Sequence, residues 1–266
     1  MAIVGFIGAG NMGYPMLRGA VKVFGREQVL YTDASKERCE YVKQETGLNY
    51  VNNNSDVASS CKYIVLAIKP QFYSDVLDDI KKLINENHVI ISIAPGITTD
   101  DVKKELGSLA RVVRAMPNTP AMVGEGMSGV CYSNDSFTEE EKKTIDTLFS
   151  SFGKYEVFEE RLMNAVVCAN GSSPAYVYMF IEALADSVVK YGIPRDKAYS
   201  LAAQTVLGAA KMVLETKEHP GKLKDQVCSP GGTTIAAVTA LEEHGFRNAV
   251  MKATDACYAK ASSFQK

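Results

Sequence analysis

The sequence predicts an α/β fold: a doubly wound sheet at the N-terminus, followed by an all-helical domain. Three observations predict it. A short apolar run, Ala2–Ile7, breaks into Gly8-Ala9-Gly10-Asn11-Met12-Gly13 and then into a helical stretch over residues 14–24. Up to residue 158, short apolar strand patterns alternate with helical ones, at the spacing of parallel strands joined by crossover helices. Beyond Glu159 the strand patterns stop and helical periodicity alone remains.

The glycine stretch is a G-x-G-x-x-G lying between a buried strand and a helix, where each glycine has a mechanical reason. Gly8 permits the tight turn out of the strand. Gly10 keeps no side chain between the backbone and a pyrophosphate, and Gly13 lets the helix pack closely on the strand. Free N–H groups at the helix start, with the positive end of the helix dipole, make an anion site. Residues 1–158 therefore read as a Rossmann-type dinucleotide-binding domain.

Residues 29–32 form a second strand ending at Asp33, twenty positions beyond Gly13, where such a unit places the carboxylate that holds the adenosine ribose hydroxyls. A carboxylate there repels a 2′-phosphate, yet Ser35, Lys36 and Arg38 follow at once and can bind one. Asp33-Ala34-Ser35 also reads as the cap of a helix over residues 36–46. These residues leave NAD and NADP both open.

Gly47 ends that helix. Residues 49–51 predict a short third strand and residues 61–68 a fourth, stopped by Lys69-Pro70, with Pro70 suited to the first turn of a helix through residue 84. A fifth strand, 88–93, ends in Ala94-Pro95-Gly96 and is followed by a helix over 99–106 and a strand over 111–115. Ligands bind parallel sheets beyond the carboxyl ends of their strands, which puts Asn11, Met12, Asp33, Lys69, Pro70, Ala94 and Gly96 on one edge with the cofactor. Lys69 reads two ways, as a cation for the nicotinamide ribose or a substrate carboxylate, or as a solvated strand end. Residues 116–120 (Met-Pro-Asn-Thr-Pro) are stiffened by two prolines, so Asn118 and Thr119 fall on an extended, cofactor-facing loop. Strands over 127–132 and 155–158 flank a helix over 138–151 with Glu139, Glu140 and Glu141 in its first turn.

Residues 159–266 read as a helical domain. A helix over 161–169 is interrupted by Asn170-Gly171-Ser172-Ser173; Ser173 then caps, and Pro174 opens, a helix running to Tyr191 and stopped by Gly192. Its residues Glu182, Asp186 and Lys190 form one polar stripe and nearly all others are apolar, so it must be buried on most sides. The next helix, 195–216, is alanine-rich and carries Gly208, which permits close helix contact. Roughly a hundred residues make too thin a domain to enclose two such helices, which predicts dimerisation, a partner subunit completing the core. After a turn at His219-Pro220-Gly221 and a short helical segment, Cys228-Ser229-Pro230-Gly231-Gly232-Thr233-Thr234 opens a helix over 235–243. Its N–H groups and hydroxyls form a second anion site suited to a carboxylate, or else a plain capped loop. The last helix, 246–262, reads as amphipathic packing.

Composition bounds the partners. A formal net charge of −2 with no basic run excludes nucleic acid and anionic membrane surface. Six scattered cysteines without a C-x-x-C pair, and three isolated histidines, exclude a zinc site and a disulfide framework. No stretch reaches the length of a membrane span, and the apolar start is too short for a signal peptide, so a cytoplasmic protein is expected.

Several stretches together resemble the pyrroline-5-carboxylate reductase family over essentially the full length. They are Gly5-Phe6-Ile7-Gly8-Ala9-Gly10-Asn11-Met12-Gly13, Arg114-Ala115-Met116-Pro117-Asn118-Thr119-Pro120-Ala121, Pro174-Ala175-Tyr176 and, most specific, Asp225-Gln226-Val227-Cys228-Ser229-Pro230-Gly231-Gly232-Thr233-Thr234-Ile235 followed by Leu241-Glu242 and Gly245-Phe246-Arg247. The resemblance implies a helical domain that dimerises by intertwining, often into larger rings. It implies NAD(P)H-dependent reduction of 1-pyrroline-5-carboxylate to L-proline, the last step of proline biosynthesis, usually with NADPH, NADH being possible. It further implies that Thr234 hydrogen-bonds the substrate's ring nitrogen and that Ser229, Gly231, Gly232, Thr233 and Tyr176 hold the substrate. Two features depart from the family pattern: Asp33, and Asn170-Gly171-Ser172-Ser173 where the family commonly has Ser-Gly-Ser-Gly. The rival enzyme reading is a related two-domain reductase of the β-hydroxyacid dehydrogenase or imine reductase type. β-Hydroxyacid dehydrogenases carry a lysine general acid in the second domain's first long helix, and here that helix offers a lysine only at its far end. A nucleotide-sensing protein without catalysis is the rival of another class, and an intact Ser229 to Thr234 loop argues against it.

Overall fold

The computed structural model describes residues 2–264. Its sheet comprises β1 (Ala2–Ile7), β2 (Val29–Thr32), β3 (Cys61–Leu66), β4 (Val89–Ser92), β5 (Arg111–Met116), β6 (Gly126–Tyr132) and β7 (Gly153–Val157), in the order β2-β1-β3-β4-β5-β6-β7. β1 to β5 are parallel. Ile7 stands opposite both Thr32 and Leu66, and Leu66 opposite Ser92, so four carboxyl ends reach one edge together. The chain leaves β1 toward β2 on one side and returns to β3 on the other, which opens the crevice where α/β sheets take ligands.

The helices of this unit before residue 160 are α1 (Gly13–Phe24), α2 (Lys36–Thr46), α3 (Asn54–Ser60), α4 (Tyr73–Ile80), α5 (Thr99–Leu106) and α6 (Glu139–Ser150). Met16 and Leu17 of α1, Val42 of α2 and Phe149 of α6 pack on Phe6, Tyr31, Val65 and Ile91. On the other face Val57, Leu77, Ile80 and Val102 pack on Ile7, Ile64, Leu66 and Ile90. Covered on both sides, the central strands need apolar residues at every position rather than at alternate ones.

The structure corrects the sequence reading at four places. Residues 49–51 form no strand: a single bond, Val51 N–H to the Tyr31 carbonyl at 2.9 Å, ties them to β2, and Asn53 instead caps α3 through Asp56 N. β6 runs antiparallel to β5, because the link over residues 117–125 holds one 3₁₀ turn, Thr119–Val123, and is too short for a parallel crossover. The helix expected from Pro70 to residue 84 is a 3₁₀ turn, Pro70–Phe72, followed by α4, which ends at Ile80. The helix expected over 161–169 is a 3₁₀ turn, Glu160–Leu162, then α7 (Met163–Val166) and a π-type turn, Val167–Gly171. Met163 and Val166 bury against Met116 and Cys131, so this segment belongs with the sheet. The two compact units are accordingly residues 2–172 with 257–264, and Ser173–Ala256, whereas the sequence reading divides the chain after residue 158.

One buried charge ties α6 to the sheet. Glu141, almost fully buried, accepts from Arg111 at 2.6 Å and pairs with Lys62 at 2.9 Å. Burial alone would raise its pKa; the bonds from Arg111 and Lys62 overcome that and bring it down to about 2. A carboxyl with a depressed folded-state pKa stabilises the fold above its unfolded value, and that contribution is lost as pH falls through the folded value. Glu141→Gln is therefore expected to destabilise the protein at neutral pH and to flatten the acid limb of its stability curve between about pH 4.5 and 2. Equal acid limbs for variant and parent in chemical denaturation would refute this.

In the second unit α8 (Ser173–Val189) and α9 (Arg195–Thr216) pack through Ala185, Ala198 and Ala202, with Ile181, Leu184 and Val188 around them. α10 (Pro220–Val227), α11 (Thr233–Glu243) and α12 (Phe246–Ser262) follow, α12 contributing its residues from Cys257 onward to the first unit. Within the single chain Tyr178, Met179, Leu201, Leu207, Leu214 and Met251 remain exposed, and nothing lies within 4 Å of the Cβ position of Gly208. Among the described residues no helix is long and apolar enough to cross a membrane.

Candidate active site

The glycine loop leaves β1 at Gly8, whose φ of +97° and a Cβ position 2.5 Å from the Ala67 carbonyl oxygen admit no side chain. A Cβ on Gly13 would lie 2.3 Å from the Gly8 carbonyl oxygen, so α1 approaches the strand as closely as backbone permits. Gly10 is different: nothing stands within 4 Å of its Cβ position. The backbone N–H groups of Asn11, Met12 and Gly13 find no acceptor among the described residues, and the first turn of α1 carries no acid. Open space at Gly10 beside uncommitted donors fits a dinucleotide pyrophosphate.

Beside the loop lies a cavity of about 540 Å³, with Gly8, Gly10, Thr32, Asp33, Ala34, Ile68 and Lys69 in its wall. Asp33 Oδ2 accepts from Ala9 N–H at 2.8 Å and Oδ1 from Ser35 N–H at 2.9 Å, so the carboxylate locks the glycine loop to the end of β2. Ser35 is the cap of α2, its Oγ accepting from Arg38 N–H at 3.1 Å. Lys69 is exposed and its ammonium makes no ion pair or hydrogen bond within the described residues. Pro70 opens the 3₁₀ turn that carries Phe72 into the cavity wall. Ala94 is buried in the core beneath α4, and Gly96 is packed beneath Phe264, whose Cβ would stand 2.6 Å from an added Cβ. Asn118 spends its side chain on the fold: Oδ1 accepts from Met127 N–H at 2.8 Å and Nδ2 donates to the Asn170 carbonyl at 3.0 Å. Its backbone, and the exposed Thr119 after it, are what this loop can offer a cofactor.

The second anion site lies in the helical unit. Gly231, at φ +68°, turns the chain into α11, which starts at Thr233 with Gly232 as its cap. Gly232 N–H is held by the Ser229 carbonyl at 3.0 Å, while the N–H groups of Gly231, Thr233, Thr234 and Ile235 have no acceptor among the described residues. The Thr233 and Thr234 hydroxyls make no hydrogen bond among the described residues, and no acid stands in the first turn. Free donors with two hydroxyls beside them can hold a carboxylate. Tyr176 lies in the first turn of α8, half-buried.

Comparison with known proteins gives this pair of sites a context. Residues 160–264 match the family model described as pyrroline-5-carboxylate reductase dimerisation, and residues 3–96 match the NADP oxidoreductase, coenzyme F420-dependent, family. The chain is 45% identical to pyrroline-5-carboxylate reductase of Escherichia coli strain K12 over 266 residues, 99% of this chain and 98% of that one. It belongs to the pyrroline-5-carboxylate reductase family. The reductase of Pisum sativum is 41% identical over 94% of this chain and 91% of its own. The crystal structure of Plasmodium falciparum pyrroline carboxylate reductase with NADP bound superposes with a TM-score of 0.88 at 33% identity, covering 100% of this chain and 98% of that one. As a member of this family the chain is an oxidoreductase with a Rossmann-type nucleotide-binding unit and a helical dimerisation region.

Sequence reasoning missed several residues here. Asn52, Asn53, Asp75, Val76 and Asp79 also wall the cavity beside the glycine loop. The signal for the first two was present: Asn53 followed three positions later by Asp56 is a helix-start pattern, hidden by reading residues 49–51 as a strand. Asn170, an interruption in the sequence reading, is a buried clamp whose Nδ2 donates to the Met116 and Met127 carbonyls at 2.7 and 2.9 Å. No local pattern announces such a bond across 54 and 43 positions.

Proposed function

We propose that this chain reduces 1-pyrroline-5-carboxylate to L-proline with a hydride from NAD(P)H, the last step of proline biosynthesis. The observation that carries the reading is the presence, in one chain of this family, of two runs of backbone N–H groups without an acceptor among the described residues, at Asn11–Gly13 and at Thr233–Ile235 beside Gly231. Gly8, Gly10, Asn11, Met12 and Gly13 take the pyrophosphate, and Asp33 takes the ribose hydroxyls. Lys69, Pro70, Ala94, Gly96, Asn118 and Thr119 are assigned to the rest of the cofactor, Ala94 and Asn118 through their backbone. When bound, the nicotinamide supplies the hydride. The substrate is a cyclic imine with a carboxylate. The backbone N–H groups of Gly231 and Thr233, with Gly232 as the cap between them, the Ser229 and Thr233 hydroxyls and Tyr176, hold the carboxylate and orient the ring. Thr234 hydrogen-bonds the ring nitrogen. Protonation of that nitrogen makes the imine carbon a better hydride acceptor; a threonine hydroxyl is a poor acid, so the proton arrives with the substrate or through a water that Thr234 positions.

The rival chemistry of β-hydroxyacid dehydrogenases wants a lysine in the first long helix of the second domain. α8 (Ser173–Val189) contains none, Lys190 lying just past its end. The exposed apolar residues of α8 and α9 support a homodimer that can build a larger ring. Six free cysteines support residence in the cytoplasm. The test is loss of NADPH and NADH absorbance on addition of pyrroline-5-carboxylate, with sedimentation of the same preparation. Oxidation of neither cofactor would sink the activity, and a monomer would sink the assembly.

A further inference from the structure

We propose that this chain selects NADH over NADPH and that Asp33 is the residue that determines the choice. The inference rests on the reading that the glycine loop holds a nicotinamide dinucleotide. A 2′-phosphate needs donors and positive charge at the end of β2, where the adenosine ribose lies. This chain has such groups in its sequence, but the structure engages Ser35 and Arg38 in other bonds and leaves Lys36 outside the cavity wall. Ser35 N–H donates to Asp33 Oδ1, and the Ser35 hydroxyl oxygen is held by Arg38 N–H as the cap of α2. Arg38 Nε donates to the Ala9 carbonyl at 2.6 Å, and its guanidinium carbon stands 5.0 and 4.9 Å from the ring centres of Tyr14 and Tyr41. Neither Arg38 nor the exposed Lys36 walls the cavity.

The groups that do wall it carry the opposite charge. Asp33, Asp75 and Asp79 face the space and Lys69 is the one cation among them. Asp33 is also fixed: with each oxygen held by a backbone N–H, it cannot swing away from an incoming phosphate without freeing the glycine loop. Each oxygen keeps a lone pair for a ribose hydroxyl, which is a hydrogen bond for NADH and a like-charge contact for NADPH. The selectivity is thus built from repulsion as much as attraction.

The experiment is fluorescence titration of the purified protein with NADH and with NADPH in the absence of substrate, repeated on Asp33→Asn, with the kcat/KM ratio for the two cofactors alongside. The expected result is a dissociation constant for NADH at least about tenfold below that for NADPH. That ratio should fall at least about fivefold in Asp33→Asn, or in Asp33→Ser should the first variant not melt cooperatively. Arg38→Ala should weaken both cofactors alike. Parity, a preference for NADPH, an unmoved ratio in the Asp33 variant, or selective loss of NADPH in Arg38→Ala overturns the proposal while leaving the dinucleotide reading in place. Failure of both cofactors to bind overturns both. NADH-selective binding without turnover of pyrroline-5-carboxylate leaves this proposal standing and removes the proposed activity.

Discussion

Gly13→Ala is expected to destabilise the protein by about 3 kcal/mol, whereas Gly10→Ala, three residues earlier in the same motif, is expected to fold like the parent and lose the cofactor. The contrast comes from what each new methyl meets. At Gly13 it would stand 2.3 Å from the Gly8 carbonyl oxygen and 2.9 Å from Ala67 Cβ. Backbone carbonyls cannot rotate aside as a side chain can, so α1 must lift from the sheet and take Met16, Leu17 and Ala20 partly out of the core. Helix propensity favours alanine by about 1 kcal/mol and is outweighed. At Gly10 the methyl meets nothing within 4 Å, so the fold is indifferent to it. On the proposed assignment the methyl instead occupies the space left for the pyrophosphate, and a misfit of about 1 to 3 kcal/mol corresponds to roughly 5- to 150-fold in dissociation constant. Thermal unfolding without ligand separates the two variants, and cofactor titration of Gly10→Ala completes the comparison. A Gly10→Ala protein that binds cofactor like the parent would refute the assignment of this loop.

The same pair shows what a sequence can convey. The motif, its strand and its helix were legible because strand, glycine spacing and helix follow one another without a break, Gly13 meeting the Gly8 carbonyl only five positions back. β1, β2, α2, α5, α9 and α12 have the bounds that periodicity and caps predict, Gly47 closing α2 at φ +70°. The antiparallel turn of β6 was not legible from its strand pattern, which looks alike in either direction; the short link before it was the usable sign. Side chains committed over long separations were invisible. Asn118 follows a strand on a stiff loop, which its neighbours in sequence show; that its amide bridges β6 and the turn at Asn170 they do not. Asp33 could be read as a ribose ligand or as part of a helix cap, and the structure shows the cap itself on Ser35 while Asp33 pins the glycine loop. The residue types at Ser229 to Thr234 suggest an anion site, and the N–H groups at Thr233 to Ile235, without acceptors among the described residues, are the orphan donors of the first turn of α11.

Thr234→Ala is expected to lower kcat on the order of 100-fold with little change in the affinity for the nicotinamide cofactor. The hydroxyl makes no hydrogen bond among the described residues, so its loss leaves none of their buried groups unpaired, and alanine suits the second position of α11 better than threonine does. Loss of activity would therefore not be loss of fold, and an unchanged melting temperature checks this. The backbone N–H of residue 234 survives the substitution, so the carboxylate keeps its donors and KM should move less than kcat. On the proposed assignment, what disappears is the hydrogen bond at the ring nitrogen, needed at the moment that nitrogen takes on the character of an amine. Thr234→Ser keeps a hydroxyl at the same reach and should recover most of the rate; Thr234→Val, of the same shape without it, should not. If the serine variant is as slow as the alanine one, the methyl and not the hydroxyl of Thr234 matters, and its role is to shape the site. If alanine turns over at the parent rate, the residue has no part in the chemistry and the ring nitrogen is served by another group.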